Sequence, residues 1–451
     1  MPNGCPPPGL PLSAWPVEME LRARIREYGA EGFLGNVLAL SGVQVCRKTL
    51  PLLTLPYLAR VLGPDGWGLL AFFQSFAACL TMVVEFGFAR SGSRDVAQSR
   101  HSASGLSEVV AGVFGAQACL VAVAVVAACL LSFWIAPLGS HPALAAAALL
   151  WAVAEGCCPF WYFVGIEKMT VIAALEIATK TLATACVFLF VHRPGDGALV
   201  LLFQAGASAV SWAVAMHMIR RRHPIGKVTM ALVHRSLKTG WPMFLIRGTE
   251  TLYTVGNAFL LGMFAPAAAV AFFAGPEKIS RALFGLFNPI QDVLYPRISS
   301  LSRSAPQKAV RLARVGTVAT IGAGVFIGAG VFLAAPLLIR LALGAGFAEA
   351  VPVLRMLALL PAILAVIQSV NLQWLLPQGR ESAVARLTLV AGVAHLGLVF
   401  LWAPQYAHMG MAWAVLTSQS LACVMFVTAA WKSSSPAFEP RMPAPECARS
   451  I

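Results

Sequence analysis

Charged side chains are scarce in this sequence. Only 12% of its 451 residues are Asp, Glu, Lys or Arg, against about 25% in an ordinary soluble domain. Some stretches, including Leu120–Ile135, Ala143–Val153 and Val318–Leu338, hold almost no ionisable group. A soluble core helix has no reason to be apolar on every face. The scarcity therefore excludes a water-soluble fold. What fills the space is apolar: 58% of residues are hydrophobic, mean hydropathy is +0.76, and the apolar blocks approach the roughly 20 residues that cross a bilayer as a helix.

Catalytic and redox signatures are missing too. The chain has no GxxxxGK[ST] loop, GxSxG elbow or HExxH pair, so it does not hydrolyse ATP itself and shows no sign of being an enzyme. Ten cysteines include no CxxC. Most lie in apolar blocks and read as small core residues; Cys157-Cys158 before Pro159 reads as packing near a kink. No metal or cofactor set is present, and none is expected. The net charge of +14 is spread over loops, which argues against a nucleic-acid partner. The start of the chain, Met1–Pro16, is proline-rich and lacks both the basic beginning and the apolar core of a secretory signal.

The hydrophobic pattern predicts an all-α polytopic membrane protein with about twelve spans. They fall near Phe33–Leu58, Trp67–Ala89, Glu108–Ile135, Ala143–Val164, Val171–Val191 and Ala198–Ile219 in the first half. In the second they fall near Trp241–Phe264, Ala267–Leu294, Leu312–Leu333, Val351–Leu376, Ala383–Trp402 and Met409–Trp431. With the N-terminus in the cytoplasm, about 23 Lys and Arg face inside and 3 (Arg60, Arg193 and Arg340) face outside, as expected of cytoplasmic loops. Both termini are then cytoplasmic. The most basic loop, Arg220–Lys238, falls at the midpoint and predicts two six-helix lobes, 33–219 and 241–431. These flank a basic loop at 220–240, with a disordered tail at 1–32 and a second tail at 432–451. A faint repeat agrees: Leu62-Gly63 precedes Ala71-Phe72-Phe73, and Leu261-Gly262 precedes Ala271-Phe272-Phe273. Duplicated halves around a cavity are a usual plan for secondary transporters.

Several charges fall inside these spans, where each costs about 2.5–3.5 kcal/mol at the bilayer centre on the lenient scale. The cations are Arg47, Lys48, Lys180, Arg247, Lys278, Arg281 and Arg355, and the acids are Glu85, Glu155, Glu176, Glu250, Glu277 and Asp292. Glu176–Lys180 and Glu277–Arg281 are four apart, and Arg247–Glu250 three apart, so each pair shares a helix face. A structural ion pair and a functional site both fit such spacing. Arg47-Lys48 has no acid within four residues, so it either snorkels or meets an anion from elsewhere. The cation excess suggests an anionic substrate, such as a lipid phosphate or pyrophosphate, held by arginine forks. On this reading Arg47, Lys48, Arg247, Lys278 and Arg281 are candidate substrate-binding residues. Glu85, Glu250, Glu277 and Asp292 are candidate coupling or charge-balancing acids. Histidines are scattered, and His217 and His395 within spans read as packed residues that retain a capacity for protons. Pro51, Pro56, Pro159, Pro276, Pro289 and Pro361 should bend their helices.

Particular strings carry a family resemblance. Pro56-Tyr57-Leu58-Ala59-Arg60-Val61-Leu62-Gly63-Pro64-Asp65-Gly66-Trp67-Gly68 is the most specific. Glu85-Phe86-Gly87 with Arg94-Asp95, Phe160 to Met169, Glu277-Lys278-Ile279 with Pro296-Arg297-Ile298, and Gln373 to Arg380 follow in a consistent order. Together they resemble the O-antigen and exopolysaccharide (Wzx-type) flippases of the polysaccharide transporter family, which belongs with the multidrug and toxin extrusion transporters and the peptidoglycan-precursor flippases. The resemblance implies two six-helix lobes in a V. It implies movement of an undecaprenyl-pyrophosphate-linked oligosaccharide across the bacterial inner membrane to the periplasmic leaflet, with proton or cation coupling. The pathway's polysaccharide polymerase and chain-length regulator are implied partners. A multidrug–cation antiporter and a peptidoglycan lipid-precursor flippase stay open as rivals, the former disfavoured by a positive cavity. A polymerase or ligase would be expected to need a larger outer loop than this sequence offers.

Overall fold

The computed structural model describes Leu50 and residues 52–222, 226–285 and 288–432. Arg47, Lys48, Pro51 and the stretches 1–32 and 433–451 lie outside them. The described residues are helical almost throughout, with no strand among them. The first half holds α1 (52–85), α2 (Phe88–Ser99), α3 (Ala103–Trp134), α4 (Ala136–Ser140), α5 (Pro142–Gly156), α6 (Phe160–Gly165), α7 (Met169–Phe190) and α8 (Gly197–Arg222). The second holds α9 (Met230–Thr254), α10 (Asn257–Gly262), α11 (Ala267–Gly285), α12 (Asn288–Ser304), α13 (Pro306–Ala342), α14 (Ala350–Leu357), α15 (Leu360–Ser369) and α16 (Glu381–Lys432). A π-helical turn at Val370–Leu375 follows α15.

Eight stretches are long and apolar enough to cross a membrane. Two of them are double. α1 is broken at Gly63, whose φ of 67° suits a residue without a Cβ. α16 is broken at Ala407, with φ 47° and ψ −123°. These breaks fall in the predicted loops Arg60–Gly66 and Ala403–His408 and raise eight stretches to ten legs. The other two legs are α9–α10 and α11–α12. They carry Arg247 and Glu250, and Glu277, Lys278 and Arg281, which holds them below an apolar threshold. The twelve-span reading and the all-α membrane fold therefore stand, with the first leg entering the described residues only at its end.

Helix ends follow local chemistry. The Ser102 hydroxyl accepts the Gly105 N–H (3.1 Å) at the start of α3, and the Thr229 hydroxyl accepts the Leu232 N–H (3.4 Å) at the start of α9. α9 thus begins well before the expected Trp241. The basic residues Arg235 and Lys238, read as loop, ride on the N-terminal extension of this helix. Likewise Arg94 lies on the short amphipathic helix α2 rather than in a loop. Pro159 separates α5 from α6, and Pro361 opens α15. Pro276 leaves α11 continuous.

The second leg of α1 joins the halves along its length. A Cβ at Gly68 would collide with the Ala267 carbonyl. Phe72 covers Gly262 and meets Phe259 at 5.4 Å between ring centres. Met82 lies over Gly248, and Phe86 stacks on Phe244 at 4.6 Å. Gly87, with φ 77°, gives Met243 room. The seam is antiparallel: as α1 advances from 68 to 86, its contacts run back from 267 to 244. Lipid offers no hydrophobic drive between helices, so close packing across small residues must hold it. The two members of the sequence repeat meet here, Phe72 against Gly262.

Candidate substrate cavity and buried charge sites

Span 7 is discontinuous. α9 stops at Thr254 and α10 resumes at Asn257, which frees backbone groups near mid-membrane. Ser75 satisfies two of them from across the seam. Its hydroxyl donates to the Val255 carbonyl (2.6 Å) and accepts the Phe259 N–H (3.0 Å). Unwound backbone is tolerated at this depth only where protein or a wet cavity covers it.

Around that break the second half gathers a polar chain. Glu277 is 7% exposed. It accepts a hydrogen bond from the Asn257 amide at 2.6 Å and one from the Arg281 Nε at 3.0 Å. The Asn257 carbonyl oxygen lies 3.0 Å from His395 Nε2, and His395 Nδ1 lies 2.9 Å from the Ser418 hydroxyl. All of Asn257, His395 and Ser418 are buried. Tyr253 packs on the His395 ring and sits within electrostatic reach of both Glu250 and Arg281. Arg281 keeps a second nitrogen, Nη2, buried with no hydrogen-bond partner among the described residues. A guanidinium nitrogen in that state can still take an anionic oxygen.

Arg247 and Glu250 are exposed. On α9 they lie roughly opposite the exposed apolar Trp241 and Leu245, given about 100° per residue. α1 packs on one flank of their side, at Gly240 and Gly248, and α16 packs on the other, where Gly392 meets Thr249. That exposed side therefore faces the space between the halves rather than lipid. Lys278 lies at the seam, with Nζ donating to the Gln74 Oε1 at 3.2 Å and standing 5.1 Å from the centre of the Trp67 ring.

The fold pairs two sequence-predicted residues, Glu277 and Arg281, while Glu250 and Arg247 lie one turn apart on the exposed side of α9. Lys278 stands apart at the seam. Glu85 is placed at the end of α1, where its carboxylate accepts the Ala89 N–H at 3.3 Å and caps the turn. Asp292 lies in α12, and its side chain falls outside the described residues. Asn257, Tyr253, Gln74 and Ser418 were not foreseen; nothing short of the fold places them beside the charges.

The first half holds its own cluster. Lys180 pairs with Glu176 at 2.9 Å and with Glu155 at 3.2 Å. The Ser208 hydroxyl donates to the other Glu155 oxygen at 2.6 Å. One cation thus joins two carboxylates from α5 and α7, and the structural reading of Glu176–Lys180 fits it.

The sequence itself matches a family model described as polysaccharide biosynthesis protein over residues 33–302, more than half of the chain. The chain belongs to that family. A relative named putative O-antigen transporter in Escherichia coli (strain K12) is 28% identical over 393 residues, covering 86% of this chain and 94% of the relative. A second of that name in Shigella dysenteriae is 25% identical over 406 residues, covering 88% and 99%. Among solved structures, the lipid II flippase MurJ in an inward closed conformation superposes with a TM-score of 0.67 at 13% identity, covering 87% of each chain. An inward-facing multidrug resistance MATE transporter of the MOP superfamily gives 0.60 at 15%, covering 89% of this chain and 98% of the other. At these identities the likeness shows the shared fold. Members of the polysaccharide biosynthesis family with this fold are multi-span membrane proteins, and the chain is one of them.

Proposed function

We propose that this chain is a flippase for lipid-linked oligosaccharides. It moves undecaprenyl-pyrophosphate-linked repeat units from the cytoplasmic to the periplasmic leaflet of the bacterial inner membrane for O-antigen or exopolysaccharide assembly. The observation that carries the reading is the match to putative O-antigen transporters over nearly the whole length of both chains. The charges on α9 and α11 agree with it. Arg247, Arg281 and Lys278 place positive charge between the halves, which suits a pyrophosphate and opposes a cationic drug.

In this account the pyrophosphate meets Arg247 and the free Arg281 nitrogen, and Arg47 and Lys48 complete the cation set. Glu250 and Glu277 balance those charges when the cavity is empty, and a proton or cation taken up there couples to the cycle. The two lobes, divided at the basic segment near residues 220–240, rock about the α1–α9 seam. The chain performs no chemistry on the sugar; it hands the repeat unit to a polysaccharide polymerase and chain-length regulator on the far side. Both termini face the cytoplasm.

Deleting the gene separates this reading from its nearest rival. The account expects lipid-linked repeat units to accumulate on the cytoplasmic face, sheltered from an enzyme added outside. Accumulation on the periplasmic face would point to a polymerase instead.

A further inference from the structure

α12 and α13 meet in a groove that the transport cycle does not use. It encloses about 630 Å³ and is lined by Arg297 on α12 and by Lys308 and Arg311 on α13, with Leu301, Leu312 and Val315 along its wall. The three cations make no ion pair or side-chain hydrogen bond among the described residues. No Asp or Glu occurs between Asp292 and Glu349, so this stretch supplies no acid to neutralise them. α13 makes the imbalance worse. It starts at Pro306 with no acid in its first turn and no side-chain cap, so Lys308 sits at the end of the helix dipole where anions are preferred. A general excess of cytoplasmic cations needs no such convergence: Arg220, Arg221 and Arg222 sit in the last turn of α8, where the dipole favours them.

The apolar wall identifies the partner's other end. Val315 is 62% exposed and begins an exposed apolar stripe on α13 with Val318 and Phe326, continuing to Leu333. A stripe of that kind on a spanning helix faces lipid tails. The groove thus offers cations at the polar end and leads into the hydrocarbon region at the other. Both of its helices belong to the second half, and the exposed apolar stripe on α13 leads from the groove toward the surrounding lipid.

We infer that this groove is a binding site for an anionic glycerophospholipid of the cytoplasmic leaflet, its phosphate held by Arg297, Lys308 and Arg311 and an acyl chain lying along Leu301, Leu312 and Val315. Basic recesses at the cytoplasmic ends of spanning helices suit lipid headgroups in this way. The site is independent of the flippase reading, since it takes bulk lipid and not the transported one.

The test uses the purified full chain in bilayers with spin-labelled phosphatidylglycerol, or phosphatidylcholine of the same acyl chains, and reads the fraction of lipid held at the protein. The wild type should favour phosphatidylglycerol by roughly tenfold or more at one saturable site. The R297Q/K308Q/R311Q variant should lose that preference while its thermal unfolding stays unchanged; should it fail to fold, the three single variants should each lower the preference. K308R should keep it. Millimolar inorganic phosphate should leave the bound lipid in place, because it lacks the chain. Equal retention of both lipids by the wild type, or full preference in the triple variant, would overturn the proposal. So would displacement by free phosphate alone. Preferential displacement by undecaprenyl diphosphate would overturn it in favour of a docking station for the transported lipid.

Discussion

Glu176–Lys180 and Glu277–Arg281 are acid–base pairs at the same four-residue spacing on one helix face, and they sit in different company. Lys180 bridges two carboxylates, Glu176 and Glu155, and Ser208 donates to the second. Arg281 meets one carboxylate, which the Asn257 amide already shares, and retains a buried nitrogen with no partner among the described residues. Identical spacing therefore yields one site in which a cation bridges two carboxylates and one in which a guanidinium nitrogen is left over among the described residues. That difference is the reason the proposed phosphate site is placed on the second half.

The comparison breaks most sharply at Lys180. Lys180→Met removes the cation shared by the buried Glu176 and the half-buried Glu155 and should cost about 1–3 kcal/mol of stability. It should be read as lost expression and a lowered melting temperature; adding E155Q and E176Q should recover much of both. A stable but inactive K180M protein would place this pair in transport and erase the contrast.

Arg281→Lys tests the other side. Charge is kept and the guanidinium fork is lost. Melting should change little, while flipping falls about tenfold, the worth of one charge-assisted hydrogen bond. Unchanged flipping would remove Arg281 from the substrate site.

His395→Phe removes the partner of the Asn257 carbonyl oxygen and should destabilise by about 1–3 kcal/mol. If the Asn257 amide is held toward Glu277 by this contact, flipping should drop further in H395F than in a mutant of matched stability elsewhere. Parity between them would leave His395 as core packing alone.

The smallest effect is expected outside the membrane. Asp196 accepts backbone N–H groups of His192 (3.0 Å) and Arg193 (2.8 Å), which hold its carboxyl below the usual carboxylate range. A depressed carboxyl stabilises the fold above its unfolded value, and that contribution is lost as pH falls through the folded one. Asp196→Asn should therefore slightly flatten the acid side of a stability–pH curve and leave transport at neutral pH intact.

Much of the architecture was legible in the chain. Spans follow from apolar blocks, and the turns at Gly63 and Ala407 fall where the loops were expected. The pairs Glu176–Lys180 and Glu277–Arg281 are visible because helical spacing is a local property. What spacing cannot carry is the third partner. Glu155 joins Lys180 from another helix, and Asn257 reaches His395 across 138 residues. The buried chain from Trp374 through Thr317, Gln373 and Gln291 to Thr320 draws on three elements as well. The start of α9 was misplaced because its first turns carry His234, Arg235 and Lys238, which read as loop.

The central claim is that the second-half cations move a lipid pyrophosphate across the bilayer. It is tested most directly by reconstituting the purified chain in vesicles loaded with an undecaprenyl-pyrophosphate-linked oligosaccharide and following its exposure to an impermeant sugar-binding probe on the opposite face. The account predicts transfer by the wild type and none above protein-free vesicles by the R247A/R281A double variant, folded and inserted to the same extent. Equal transfer by the two proteins, or none by the wild type in either direction of an imposed proton or cation gradient, would contradict it.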